Sequence, residues 1–116
     1  MHSHIIELSA KPGQASLLIS TIRDHAIPEI ITPAEGFVGQ IVLQSSVDPD
    51  LVTSISFWES KEFGDLFLQN GFTSVGALTA PFVSMKPRRY EFSVELSTFD
   101  QIRQVLPQST EFGDCD

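Results

Sequence analysis

Histidines are the first side chains in this sequence that could carry chemistry. His4 opens the segment HIIELS, which is predicted to be a β-strand, and shares a face with Ile6 and Leu8, while His2 precedes this segment. An imidazole changes charge near neutral pH, so it suits proton transfer. His25 falls on a predicted helix, where we expect it at the surface. His4 is therefore the candidate proton acceptor, with His25 as the alternative.

The pair His2 and His4 also suggests metal binding, because imidazole is a common metal ligand. A metal site needs a third or fourth ligand, and the sequence pairs no carboxylate or cysteine with these two histidines. We therefore expect no metal, and we expect the start of the first strand to fray.

Aromatic and polar side chains near the predicted strand ends supply further candidates. Trp58 is the only tryptophan and lies where the third strand meets a helix, so it is either a core ring or a pocket wall. Tyr90 has a polar tip on an apolar face and could donate to an oxyanion. Arg88 could hold an anionic substrate, although a charge at a sheet edge also keeps the sheet soluble. The catalytic candidates are thus Trp58, His4 and Tyr90, and the candidates for substrate contact are Phe37, Phe72, Phe82 and Arg88.

The elements that must position these residues follow the order β-α-β-β-α-β. Apolar spacing predicts a helix from residue 15, which Pro28 should kink or end. Ser60 is a plausible N-cap of the second helix, and Gly71 suits its end. Phe72 to Leu78 is expected to add an irregular helical turn. The predicted strands cover residues 4–9, 37–45, 51–59 and 88–96. This order is typical of a ferredoxin-like α+β fold with a four-stranded antiparallel sheet.

Two helices can cover only one face of such a sheet. We expect the second and third strands to present to the helices Phe37, Ile41, Leu43, Ile55 and Phe57, and to leave on the other face Val38, Val42, Val52 and Trp58. The second set has almost no charge, unlike a solvated face. A second copy of the chain packing there is the simplest solution, and a monomer with a wetter outer face is the alternative.

Composition excludes several classes of function. The 116 residues carry a net charge of −8, which disfavours nucleic acid, because phosphate binding needs clustered Lys and Arg. The one cysteine, Cys115, cannot form an internal disulfide. No segment has the length of a membrane span or the pattern of a signal peptide, so we expect a cytoplasmic protein.

Three short motifs carry a resemblance to a known family. They are Lys11-Pro12-Gly13, Glu35-Gly36-Phe37-Val38-Gly39 and Phe57-Trp58-Glu59-Ser60-Lys61-Glu62. In these motifs the chain resembles the antibiotic biosynthesis monooxygenase (ABM) domains of the dimeric α+β barrel superfamily, over roughly residues 3–96. The resemblance divides the chain into an ABM-like domain, 1–98, and a C-terminal short helix with a flexible acidic tail, 99–116.

The resemblance implies a homodimer with a pocket beside each sheet, in which O2 oxidises a small aromatic or quinol without a cofactor. It also implies that Trp58 lines the pocket. Haem-degrading relatives use an asparagine on the first strand and a later histidine, but Ile6 stands near the first position and no histidine follows His25. The alternatives are a non-oxidative small-molecule binder or isomerase on the same scaffold, and a protein-interaction module that uses the acidic tail.

Overall fold

The structure, a computed structural model, describes residues 1–98 of the chain. Its four antiparallel strands form one sheet in the order β2-β3-β1-β4. The strands are β1 (His2–Ser9), β2 (Phe37–Gln44), β3 (Leu51–Trp58) and β4 (Arg88–Ser93). This arrangement confirms the predicted ferredoxin-like order. The predicted C-terminal helix and acidic tail, 99–116, lie outside the described residues.

The first helix is longer than Pro28 was expected to allow. Helix α1 (Ala15–Thr21) continues without a break into a π-helix (Ile22–Ile31) that contains Pro28. Proline lacks the N–H of a regular helical hydrogen bond, and the wider π turn accommodates that loss. The Thr32 amide donates to the Ile27 carbonyl at 2.8 Å across this turn. Of the two expected effects of Pro28, a kink or an end of the helix, the end does not occur, and the extension carries Ile31 over the sheet.

The second helix begins and ends at the residues predicted as its caps. In α2 (Lys61–Asn70) the Ser60 hydroxyl accepts a hydrogen bond from the Phe63 amide at 3.4 Å, and Gly71 ends the helix. The segment expected to be an irregular turn is instead a regular helix, α3 (Phe72–Thr79), followed by a 3₁₀ turn (Ala80–Phe82). No helix among the described residues is long and apolar enough to cross a membrane.

The helices cover the opposite face of β2 and β3 from the one that we predicted. Val52 and Trp58 have no solvent exposure beneath the helices, whereas Ile41 and Leu43 are 41% and 48% exposed on the other face. A register shift between Phe37 and Gly39 explains part of the error. It places Phe37 opposite Trp58 on the covered face while the later residues of β2 keep their alternation.

Two apolar clusters hold the layers together. One lies at the Leu8 end of β1 and has as its buried members Leu8, Ala10, Ala15, Leu18, Ile22 and Val52. The other surrounds Trp58 and has as its buried members Ala26, Ile31, Trp58 and Phe67. Full burial of a large apolar side chain contributes about 1.5–3 kcal/mol, so these clusters supply much of the stability of the domain. Both clusters contact the helix-covered face of the sheet, one at each end of β1, so the middle of that face lies between them.

The turn before β2 depends on a glycine. Gly36 has φ of +80°, and a Cβ at this position would collide with the Phe63 ring. Its carbonyl accepts a hydrogen bond from the Glu59 amide at 2.8 Å, which ties the start of β2 to the end of β3. Gly13 has a similar φ of +76°, but a Cβ there would meet no atom within 4 Å.

We expect Gly36→Ala to lower the free energy of unfolding by about 1–3 kcal/mol more than Gly13→Ala does. Both substitutions carry the strain of a positive φ, which is about 1–3 kcal/mol, but only the first adds the collision with Phe63. Urea unfolding of the two variants measures the difference. Equal losses in the two variants would show that the contact with Phe63 is not tight.

Candidate functional site

A row of polar side chains crosses the sheet beneath the helices. Gln40 pairs with Ser56, Ser56 with His4, and His4 with Glu91, so one residue from each strand lies at the same level. Directly paired residues of antiparallel strands project to the same face. These four residues, Gln40, Ser56, His4 and Glu91, are called the polar row. The two apolar clusters lie on the same face of the sheet, so these polar side chains are adjacent to the core.

Hydrogen bonds fix part of the polar row and leave two buried polar atoms unpaired. The Gln40 amide nitrogen donates to the Ser54 hydroxyl at 2.6 Å, and the Trp58 indole N–H donates to the Ser56 hydroxyl at 3.0 Å. Gln40 Oε1 and His4 Nε2 are buried with no hydrogen-bond partner. A buried polar atom left unpaired costs about 1–3 kcal/mol, so both atoms favour a bound molecule that could satisfy them.

Two adjoining cavities lie over this row. Their volumes are about 60 Å³ and about 40 Å³, and His4 and Ser56 line only the smaller one. Both cavities are lined by Ile6, Ile31, Gln40, Ser54, Phe72 and Val75. An apolar cavity of about 150 Å³ is known to admit benzene. A single aromatic ring would therefore require the two cavities to merge by movement of a wall such as Phe72.

His4 is the titratable group closest to this space. Its side chain is 2% exposed, and its ring centroid lies 6.0 Å from that of Trp58. Burial lowers the pKa of His4, because desolvation disfavours the charged imidazolium, although the nearby Glu91 carboxylate opposes the shift. The neutral imidazole is thus the form favoured near pH 7, and it can accept a proton.

Trp58 supports the site without lining it. The indole is fully buried, stacks on Phe67 with ring centroids 4.8 Å apart, and meets Phe37 edge to face at 5.6 Å. Neither cavity includes Trp58 in its wall. Its link to the polar row is the hydrogen bond to Ser56.

The other predicted site residues are divided between the two faces of the sheet. Phe72 lines both cavities, and Phe82 packs against the cluster around Leu8. Tyr90 and Arg88 are exposed: Tyr90 pairs with Ile5 on the face without helices, and Arg88 contacts the Glu7 carboxylate at 2.8 Å. The structure therefore brings together His4 and Phe72, and it does not bring Tyr90 or Arg88 to the cavities.

Sequence reasoning missed three polar residues of the cavity wall, namely Gln40, Ser54 and Ser56. They were assigned to the outer face when the faces of β2 and β3 were reversed. Their spacing was nevertheless visible, because Ser54 and Ser56 alternate with larger residues along β3. A buried strand face with consecutive small polar residues is itself a signal of a ligand site.

The start of β1 is also better ordered than predicted. His2 is buried and pairs with Trp58 on one side and Ser93 on the other, while the Met1 carbonyl accepts a hydrogen bond from the Val94 amide at 2.9 Å. The expected fraying is therefore wrong. The pairing with β4 also supplies the carboxylate that sequence reasoning could not find, because His2 Nε2 lies 3.2 Å from Glu91 Oε1.

Charged neighbours hold that carboxylate in its ionised form. Arg89 donates to Glu91 Oε2 at 2.5 Å, and this hydrogen bond is the main reason that the pKa of Glu91 is lowered. One ring nitrogen of His2, one of His4 and one Glu91 oxygen all lie within 4.8 Å of one another. Imidazole and carboxylate are ligands that a divalent transition metal accepts, so these three residues could hold an ion.

Comparison with known proteins agrees with the fold and assigns the family. The α+β ferredoxin-like architecture with a four-stranded antiparallel sheet matches solved structures of antibiotic biosynthesis monooxygenases. The family model with that description matches residues 1–71. The chain belongs to this family. No curated protein sequence matches the chain.

Solved structures of low sequence identity share the fold. A candidate antibiotic biosynthesis monooxygenase from Bordetella bronchiseptica has a TM-score of 0.71 at 18% identity, with 82% of this chain and 97% of that chain covered. A protein of unknown function from Nitrosomonas europaea has a TM-score of 0.70 at 19% identity, with coverages of 83% and 90%. A variant of SnoaB, a cofactor-independent oxygenase from Streptomyces nogalater, has a TM-score of 0.69 at 13% identity, with coverages of 83% and 94%.

We expect Trp58→Ala to lower the free energy of unfolding by about 3–5 kcal/mol, because it leaves a large cavity beside Phe67. Trp58→Phe retains an aromatic ring and should cost clearly less, although it removes the donor to Ser56. Urea unfolding followed by circular dichroism measures both. A small loss for Trp58→Ala would show that the indole is not a core ring and would favour the pocket-wall interpretation.

Proposed function

We propose that this chain is a cofactor-independent monooxygenase that oxidises a small aromatic or quinol substrate with O2. The observation that carries the proposal is the apolar cavity lined by His4 and Gln40, whose Nε2 and Oε1 atoms are buried without hydrogen-bond partners. Membership of the monooxygenase family supports it, as does the fold shared with SnoaB, which is a cofactor-independent oxygenase. Fold likeness at 13% identity carries no residue roles, so the chemistry must come from this site.

The proposed reaction begins with removal of a substrate proton. His4 Nε2 takes a proton from a phenol or from an acidic C–H group, and the resulting anion is electron-rich enough to react directly with O2. One oxygen atom enters the substrate and the other leaves as water, as when a CH₂ group becomes a carbonyl. The substrate supplies all the electrons for this balance, so neither flavin nor metal is required.

Other polar groups of the cavity orient the substrate anion. The hydroxyl groups of Ser54 and Ser56 lie on the cavity wall and can donate to an oxyanion. Trp58 acts as a positioning residue, because it touches no cavity and instead orients the Ser56 hydroxyl. Phe72 supplies the apolar wall against which an aromatic ring would lie.

The proposed assembly is a homodimer formed through the face of the sheet that no helix covers. That face exposes large apolar side chains, with Phe92 at 53%, and its exposed members are Ile41, Leu43, Tyr90 and Phe92. Apolar side chains gathered on one side of a sheet favour a partner surface, and a second copy of the same face is self-complementary. Tyr90 and Arg88, which lie on this face, belong to the proposed interface rather than to the cavity of their own chain.

Oxygen uptake with a panel of hydroquinones and anthrones tests the function. We expect uptake by the wild-type chain in the presence of a metal chelator, and a loss of kcat of about 10²–10⁴-fold in His4→Gln. Val75→Phe should lower kcat/KM at least about tenfold by filling the cavity, provided that its circular dichroism is native. Ala77→Phe places the same ring at an exposed position of α3 and should retain activity.

The absence of uptake by folded protein with every substrate would oppose the proposal. If hydroquinones instead raised the Tm without O2 consumption, the chain would be a non-oxidative binder or an isomerase, because a ligand of the native state stabilises it by mass action. Equal loss of activity in Val75→Phe and Ala77→Phe would place the reaction outside this cavity.

The proposed dimer is tested by charge substitutions on the uncovered face. Leu43→Lys should convert a dimer into a monomer in sedimentation at micromolar concentration, because it would bury an unpaired charge in the interface. Leu17→Lys is the matched control, since Leu17 is similarly exposed but lies on α1. A wild-type chain that sediments as a monomer, or a Leu43→Lys variant that remains dimeric, would contradict the assignment of this face.

A further inference from the structure

A cluster of three residues lies at the β4 end of the polar row. His2 and His4 project from β1 to the helix-covered face, and Glu91 is the β4 partner of His4. One nitrogen of each imidazole and one carboxylate oxygen lie within 4.8 Å of one another, and His2 Nε2 is 3.2 Å from Glu91 Oε1. The proposed oxidation uses only one of these three residues.

We propose that His2, His4 and Glu91 bind one divalent transition-metal ion, such as Zn²⁺. Two imidazoles and a carboxylate suit Zn²⁺ and neighbouring transition metals, and three protein ligands leave a position open for water or another small ligand. Tetrahedral Zn²⁺ requires ligand atoms roughly 3.4 Å apart, since its bonds to nitrogen and oxygen are about 2.0–2.2 Å long. Small side-chain rotations would draw the three groups from their present spacing to that one.

The state of His4 is the first independent reason to expect an ion here. Its side chain is 2% exposed, yet Nε2 has no hydrogen-bond partner among the described residues. Buried polar atoms are almost always paired, and an unpaired imidazole nitrogen is a free metal ligand. An ion bound to this nitrogen would supply the partner that it lacks.

Gly64 supplies the space that the cluster needs. A Cβ at this position of α2 would lie 2.8 Å from His4 Nε2 and 3.2 Å from His2 Cδ2, so any larger residue would crowd the two rings. Glycine within a helix is less favourable than alanine, so local helix propensity does not explain its presence. The close approach of the helix backbone to the imidazoles does explain it.

Arg89 orients the carboxylate for this role. It binds Glu91 Oε2 at 2.5 Å and leaves Oε1 directed at His2. Metal-bound carboxylates and imidazoles are commonly held by such outer contacts, which fix the ligand atom. The nearby Lys61 is paired with Asp65 at 2.7 Å, so its charge is partly neutralised.

Metal binding and the proposed proton transfer compete for the same side chain. An ion on His4 would withdraw its nitrogen from the oxidation, which is why the oxygen-uptake assay contains a chelator. The inference does not rest on the proposed function, because binding is measured without any aromatic substrate.

The test uses the full chain without an affinity tag, stripped with a chelator and then dialysed. Calorimetric titration with Zn²⁺ should give one ion per chain, and Co²⁺ should produce visible absorption bands of a low-coordination site. We expect His2→Ala and Glu91→Gln each to weaken the affinity by at least about tenfold. His25→Ala is the matched control. The His25 ring also lies 3.2 Å from a glutamate, Glu29, but both side chains are on the solvent-exposed side of the π-helix.

The result that overturns the proposal is the absence of stoichiometric binding by the wild type. Equal weakening in His25→Ala and His2→Ala would overturn it too, because it would show unspecific binding to surface imidazoles. If His2→Ala does not fold, Glu91→Gln is the decisive variant. The Glu91 side chain is partly exposed, and glutamine is nearly the same size as glutamate, so this variant should keep the fold. Unchanged affinity in Glu91→Gln would remove the carboxylate from the site and with it the proposed ligand set.

Discussion

The central position of β1, paired with β3 on one side and β4 on the other, is the constraint on which the rest of this structure depends. Because alternate residues of a strand face opposite ways, this pairing sends His4 and Leu8 beneath the helices and Ile5 and Glu7 to the uncovered face. The register of this pairing also determines which residues of β3 and β4 lie beside His4 and Leu8. A shift of one residue along β1 would exchange the two faces of the strand and disrupt the polar row.

The polar row weakens the domain locally, and the two apolar clusters compensate for it. Short hydroxyl side chains under the helices leave unfilled space where larger apolar residues would have packed, and two buried polar atoms remain unpaired there. Trp58 and Phe67 on one side and Leu18 and Val52 on the other bury apolar surface that holds the helices against the sheet on both sides of this gap. A fold stabilised at both ends can thus tolerate a loosely packed polar centre, as functional sites often require.

Features set by neighbouring residues could be predicted from the sequence, and features set by distant pairing could not. The cap at Ser60 and the apolar stripe of the first helix follow from spacing alone and are confirmed. The faces of β2 and β3 could not be assigned, because β3 is nearly as apolar on one side as on the other, and the irregularity after Phe37 changes the alternation. His4 could be selected by residue type, whereas Glu91 could not, because its proximity to His4 depends on the pairing of two strands that are distant in sequence.

Alternate side chains of β4 point to opposite faces of the sheet, and this separates the proposed dimer surface from the proposed ligand site. Arg88 lies on the uncovered face and contacts Glu7. Its neighbour Arg89 lies on the helix-covered face, where it binds Glu91. The guanidinium carbon of Arg89 is also 6.0 Å from the centroid of the Phe72 ring. Substitutions at Arg88 therefore act on the proposed dimer surface, and substitutions at Arg89 act on Phe72 and Glu91. Because the two side chains diverge from adjacent residues, the proposed assembly and the proposed ligand binding can be perturbed separately within β4. Coupling between them would have to pass through the β1 backbone, which both faces share.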